Sequence, residues 1–174
     1  MKTLAKSALV GTAMAAAIVM GAGSASAATV GTVGTAGTGT PTAAYQVCGT
    51  AYVGTPAHVS GPPATARPVA GYAITGQLYN STNGAVGAAM STTTAADGTW
   101  CLTGTSAMSS TVTFGGYVQM GALGAFTDAG VTYTGQWSNG GADVRMDGSE
   151  FFAHAYPAPS ITANRAWKVN AVFN

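Results

Sequence analysis

From residue 44 onward, short β-branched or aromatic runs alternate with glycine-containing breaks. This rhythm predicts strands joined by tight turns. The expected strands lie in "AYQVCGTAYVG" (44–54), "PVAGYAITGQLYN" (68–80), "STVTFGGYVQM" (110–120), "VTYTGQW" (131–137), "SEFFAHAY" (149–156) and "NRAWKVNAVF" (164–173). Two more lie in "AAMSTTTAADGTWCLTG" (88–104), joined at Asp97-Gly98. Pro62, Pro63 and Pro68 make 58–68 a loop, because proline cannot serve a central strand. "NSTNG" (80–84) ends in Asn-Gly, a strong hairpin signal. No amphipathic helix is expected in this stretch. Eight or nine short strands predict an antiparallel sandwich.

Alternation also assigns faces. In the first strand Tyr45, Val47, Ala51 and Val53 share one side, and Gln46, Cys48 and Thr50 the other. Around the second cysteine, Trp100 and Leu102 oppose Thr99, Cys101 and Thr103. Neither cysteine sits on the more apolar side of its strand. That fits a bridge between neighbouring strands of one sheet, off the core, better than a bridge through the core between two sheets. In the last strand Trp167, Val169, Ala171 and Phe173 fall on one face, and Ala166, Lys168, Asn170 and Asn174 on the other, with Val172 the apolar exception. Four apolar side chains so near the C-terminus imply that this end is tied into structure.

The first 27 residues read differently. Lys2 and Lys6 precede the apolar run "ALVGTAMAAAIVMGAG", and Ala25-Ser26-Ala27 is a small-x-small cleavage site. This is the pattern of a secretory signal peptide. A spanning helix needs about 20 apolar residues, and no stop-transfer charges follow, so no membrane span is expected after cleavage. Removal leaves Ala28 to Asn174, or 147 of the 174 residues, enough for one domain. Two of the six basic residues leave with the signal. Four then stand against five acidic residues, a net charge of −1. So few charges exclude an electrostatic footprint for nucleic acid and favour association with other protein. Cys48 and Cys101 in a secreted chain favour a single disulfide.

The remaining chemistry is sparse. His58 lies in the proline-rich loop and His154 in a strand beside aromatics, and no Gly-x-Ser-x-Gly elbow occurs. Asp143, Asp147 and Glu150 are close in sequence but do not follow the EF-hand calcium pattern, and read as a polar turn around Gly148. Asn80-Ser81-Thr82 matches a glycosylation acceptor. No catalytic constellation, metal site or cofactor is expected. Between signal and first strand lies "TVGTVGTAGTGT" (29–40), uncharged and repeating Thr-x-Gly with period three. In a regular extended strand that period turns Val30 and Val33 to opposite sides. The sequence divides into a signal peptide (1–27), a flexible extension (28–44) and one β-sandwich (45–174).

Several elements together resemble a known family. "AATV" (27–30) opens the mature chain with glycines after it, and a cysteine follows about twenty residues in, with a second several strands later. Near the end come "FFAHAYPAP" and "NRAWKVNAVFN", with Phe173 penultimate. This layout resembles the subunits of type 1-like fimbriae, the major pilins of the chaperone-usher route. The resemblance implies an all-β, immunoglobulin-like antiparallel sandwich that is incomplete and is completed by a donor strand from a neighbouring subunit. It implies a Cys48–Cys101 disulfide. It gives Trp167, Val169, Ala171 and Phe173 to contact with a chaperone or subunit at the open groove. It gives the donor role to the stretch from Thr29 to Thr40, chiefly Thr29, Val30, Thr32, Val33, Thr35 and Ala36. The implied partners are other copies or sister subunits, a periplasmic chaperone and an outer-membrane usher. The implied location is a surface fimbrium reached through the periplasm, with a role in cell adhesion. "GQLYNSTNGAVGAAMSTTTAADGTWCLTG" (76–104) is also similar to the prealbumin-like modules of bacterial surface stalks. That alternative implies a secreted spacer or binding module that does not polymerise.

Overall fold

The computed structural model describes residues 27–57, 61–138, 145–146, 165–166 and 169–174. The expected strand at 149–156, and His58, Asp143, Asp147, Glu150, His154 and Trp167, lie outside the described residues, as do residues 1–26. The described chain is mostly strand. β1 (Thr29–Val30), β2 (Gln46–Val53), β3 (Arg67–Ala70), β6 (Thr99–Thr103), β10 (Gly135–Trp137), β12 (Arg165–Ala166) and β13 (Ala171–Phe173) form a seven-stranded sheet. β4 (Ala73–Tyr79), β5 (Met90–Thr93), β7 (Tyr117–Met120) and β11 (Arg145–Met146) form a four-stranded one. β8 (Phe126–Asp128) and β9 (Val131–Tyr133) pair as a separate hairpin. The fold is all-β and sandwich-like. Among the described residues no helix is long and apolar enough to cross a membrane.

β2 is the hub of the larger sheet. Its first half pairs antiparallel with β6 and parallel with β12. Its second half pairs antiparallel with β3 and parallel with β13. β13 in turn pairs antiparallel with β10. The core lies between the two sheets. Val47, Ala51, Trp100, Leu102, Val169, Ala171 and Phe173 from the larger sheet meet Ile74, Leu78, Val118 and Met120 from the smaller one. The inward sets expected from alternation in β2 and β6, and Val169, Ala171 and Phe173 of the last strand, are therefore the observed ones.

Two expected strands are broken where the chain changes sheet, and one expected hairpin is split between sheets. The run 68–80 divides into β3 and β4 at Gly71, whose φ of 73° lies in the left-handed region that glycine adopts freely. The run 131–137 divides at Thr134, with β9 in the hairpin and β10 in the larger sheet. β5 and β6 do flank Asp97-Gly98, but they belong to different sheets. Alternation reports which way side chains point and is silent on which sheet a strand joins. The Asn-Gly turn is present: Asn80 N–H donates to the Gly84 carbonyl at 2.9 Å, and Asn83 takes a φ of 63°.

One element overturns its expectation. The segment expected to begin a strand at 110 starts inside α1 (Ala107–Thr113). Met108 is wholly buried and anchors this short helix in the core. Tertiary packing of one large side chain outweighs the strand preference of Thr111, Val112 and Thr113. The strand itself, β7, begins only at Tyr117, after Gly115 and Gly116.

Candidate functional site: the N-terminal strap and the last strand

The segment Ala28 to Thr40 lies along its own chain. Thr29 and Val30 pair antiparallel with Ala70 and Val69. Beyond them the contacts are made by glycine backbone. Gly31 N–H donates to the Pro68 carbonyl at 2.8 Å, Gly34 to Ala66 at 2.9 Å and Gly37 to Asp97 at 2.9 Å. Gly39 N–H donates to the buried hydroxyl of Thr50 at 3.1 Å, and that hydroxyl donates to the Gly37 carbonyl at 2.9 Å. Period three therefore has a use: every third residue turns an N–H to the sheet, while Thr29, Thr32, Thr35 and Thr38 are exposed. At Gly39 the approach is so close that a Cβ would collide with the Gly49 carbonyl. At Gly37 it would collide with the Asp97 carboxylate. Gly34 has a φ of 77°.

The strap gives β2 a second buried face. Tyr52, Ala66 and Val172 form a small cluster against which Ala36 packs. This explains the exception in the last strand, since Val172 points away from the main core into that cluster. Cys48 and Cys101 lie directly opposite in β2 and β6, with Cα atoms 4.1 Å apart, the spacing of a cross-strand pair that exchanges no backbone hydrogen bonds. They form the disulfide, between neighbouring strands and off the main core. Cys48 is nevertheless fully buried, and the Thr40 carbonyl passes 3.9 Å from Cys101 Sγ.

Two further ties hold the strap. Val30 N–H donates to Asp128 Oδ2 on the β8–β9 hairpin at 2.9 Å. Thr50 N–H donates to Asn170 Oδ1 at 3.2 Å, so one threonine links the strap, β2 and the segment before β13. Thr50, Asn170 and Asp128 were not singled out from sequence. The available signals were a threonine within an apolar strand and an asparagine three residues before Phe173.

The last strand is held by side chains as well as by its pairing with β2 and β10. Val169, Ala171 and Phe173 have no exposed surface. Phe173 packs against Tyr72 and Phe126, with ring centroids at 4.8 and 5.0 Å. Phe126 stacks on Tyr133, over which Arg67 lies at 5.9 Å while donating to its hydroxyl at 3.1 Å. The three described residues expected to meet a chaperone or neighbour at an open groove are thus covered by the chain's own strands and hairpin. The six residues expected as donor, Thr29, Val30, Thr32, Val33, Thr35 and Ala36, lie on their own sheet. The flexible extension of the sequence reading is here a docked strap.

The phenols of the two regions are both shifted upward. Burial raises the Tyr52 hydroxyl above its ordinary value, opposed by the hydrogen bond from Ala57 N–H. Burial likewise raises that of Tyr72. Among the described residues no group of three or more His, Cys, Asp or Glu side chains converges to hold a metal. Asp97 and Asp128, the described acids, each bind backbone N–H groups. No family model, curated protein or solved structure matches this chain.

Proposed function

We propose that the chain is a structural module of a secreted, surface-exposed assembly, a spacer that completes its own immunoglobulin-like sandwich. The observation that carries this reading is the strap. It joins β3 as an edge strand and covers the outer face of β2, while β13 is paired on both sides, with β2 and β10. The parallel pairing of β2, the first long strand, with β13, the last, supports an immunoglobulin-like sandwich, as does the two-sheet antiparallel architecture. The test is a cysteine pair placed at Val30 and Val69, which are register partners. In the cis arrangement V30C/V69C forms an internal bond, and the mature chain runs as a monomer on a non-reducing gel. A ladder of covalent oligomers would overturn it.

The ladder is the outcome of a second reading, a fibre subunit assembled by strand exchange with the help of a chaperone and usher. One observation favours it. Tyr45, at the junction of strap and β2, has a φ of 60°, a left-handed conformation that costs a non-glycine residue about 1–2 kcal/mol. A strap held by backbone bonds and joined through a strained hinge is suited to leave its own sheet and dock on another copy. In that reading β13 must also be uncovered before a chaperone can grip Val169, Ala171 and Phe173.

A further inference from the structure

A polar groove of about 480 Å³ runs between the strap and the edges of β5 and β6. Thr38, Thr40, Gln46, Thr92, Asp97 and Thr103 line it. The Cys48–Cys101 bridge, whose Cys101 also lines the groove, fixes its β2–β6 wall. We infer that this groove binds a neutral saccharide, with Asp97 accepting the sugar's hydroxyls. This goes beyond the structural role proposed above.

The free hydrogen-bonding groups define the ligand. Asp97 Oδ1 is occupied: it accepts from Thr99 N–H at 3.0 Å and from the Thr99 hydroxyl at 2.7 Å. Those two bonds hold the carboxylate in place, and Oδ2 takes no hydrogen bond among the described residues. Gln46 uses its carbonyl on Thr42 and Ala43 N–H and one N–H on the Thr103 hydroxyl at 3.2 Å. Its second N–H and the Thr103 proton are still available, since an amide has two donors and a hydroxyl that accepts can still donate. The groove therefore offers one fixed anionic acceptor among hydroxyls that both donate and accept. A polyol presents the same mixture.

Other ligand classes fit worse. An anion meets Asp97 with no cation among the described lining residues to offset it. An apolar ligand strands the polar wall without partners. The volume lies within the usual range for small-ligand sites. Trp100 borders the groove but is only 3 % exposed, so no ring is free for a sugar to stack on. Binding by hydrogen bonds alone in an open groove points to dissociation constants of about millimolar.

The glycine of the strap makes the site possible. A Cβ at Gly37 would run into Asp97 Oδ2, so Gly37→Ala disturbs the anchor from the strap side. Asp97→Asn keeps an oxygen for Thr99 and removes the charge.

The test is a titration of the mature, ¹⁵N-labelled chain with methyl α-D-mannoside, N-acetylglucosamine and lactose, with glucuronate as the anionic control. At least one neutral sugar should produce saturable shifts in amides of residues 38–40, 46 and 97–103, and glucuronate should not. Asp97→Asn should weaken binding at least tenfold while the rest of the spectrum stays in place, and Gly37→Ala should weaken it too. The proposal is overturned if none of the three moves these amides by about 50 mM, well above the expected affinity. Equal binding of glucuronate, or unchanged affinity in Asp97→Asn, overturns it as well.

Discussion

The strap and the last strand join the same sheet and differ in how much buried side chain holds them there. β13 pairs by backbone with β2 and β10 and is held besides by side chains, with Ala171, Phe173 and the preceding Val169 wholly buried. The strap is held mostly by backbone, its side-chain anchors being the small Ala28 and Ala36 and the half-buried Val30, and Val33 within it is 62 % exposed. A buried aromatic is lost only if its surroundings open with it. A backbone hydrogen bond contributes about 0.5–1.5 kcal/mol net, because water replaces it when it breaks. The C-terminal end should therefore share the global stability of the fold, while the strap can open locally at lower cost.

The largest expected effect tests the fixed end. Phe173→Ala removes a ring packed on Tyr72, Phe126 and Gly135. It should cost about 3–5 kcal/mol in urea unfolding, the usual range for a buried Phe truncated to Ala. A cost under about 1 kcal/mol, as surface positions show, would mean that the C-terminal end is no better anchored than the strap.

Gly39→Ala tests the other end. Its Cβ meets the Gly49 carbonyl, and neither backbone can move aside alone. The strap must lift, at about 1–3 kcal/mol, typical of overpacking. Hydrogen exchange then separates the two regions. Amides of Gly31, Gly34 and Gly37 should lose protection, while those of β2 facing β6 and β13 keep theirs. If β13 opens together with the strap, the two ends form one cooperative unit and the contrast fails.

This contrast also marks what the sequence could reveal. Period two predicted the inward faces of β2 and β6, and of the last strand from Val169 on, because half-buried strands carry that information residue by residue. It also placed the disulfide off the main core. The strap's period three was visible too, but its meaning was not. A glycine contact leaves no side chain to read, and its partners Pro68, Ala66 and Asp97 are distant in sequence. The changes of sheet at Gly71 and Thr134 were hidden for a related reason, since pairing partners are chosen by the whole fold. Burial of Thr50 and Asn170 followed from the strap, and could not be inferred without it.

The smallest expected effect uses one tyrosine from each region. Tyr52 lies in the cluster under the strap and Tyr72 lies against Phe173. Burial raises both phenols above the ordinary tyrosine value of 10.0. The folded chain therefore keeps these protons to higher pH than the unfolded chain does. Their contribution is fully present below pH 10 and is lost as pH rises from 10 through the folded values. The urea midpoint should accordingly fall with pH above about 10, where unfolded tyrosines ionise. Tyr52→Phe and Tyr72→Phe should each flatten part of that fall, and the double variant should remove most of it. Tyr52 also accepts from Ala57 N–H and donates to the Thr55 carbonyl, so its variant has a small cost at neutral pH that must be subtracted. If Tyr72→Phe alone removes the whole alkaline slope, the cluster under the strap is already open to water at that pH. The strap would then be the first part of the fold to leave.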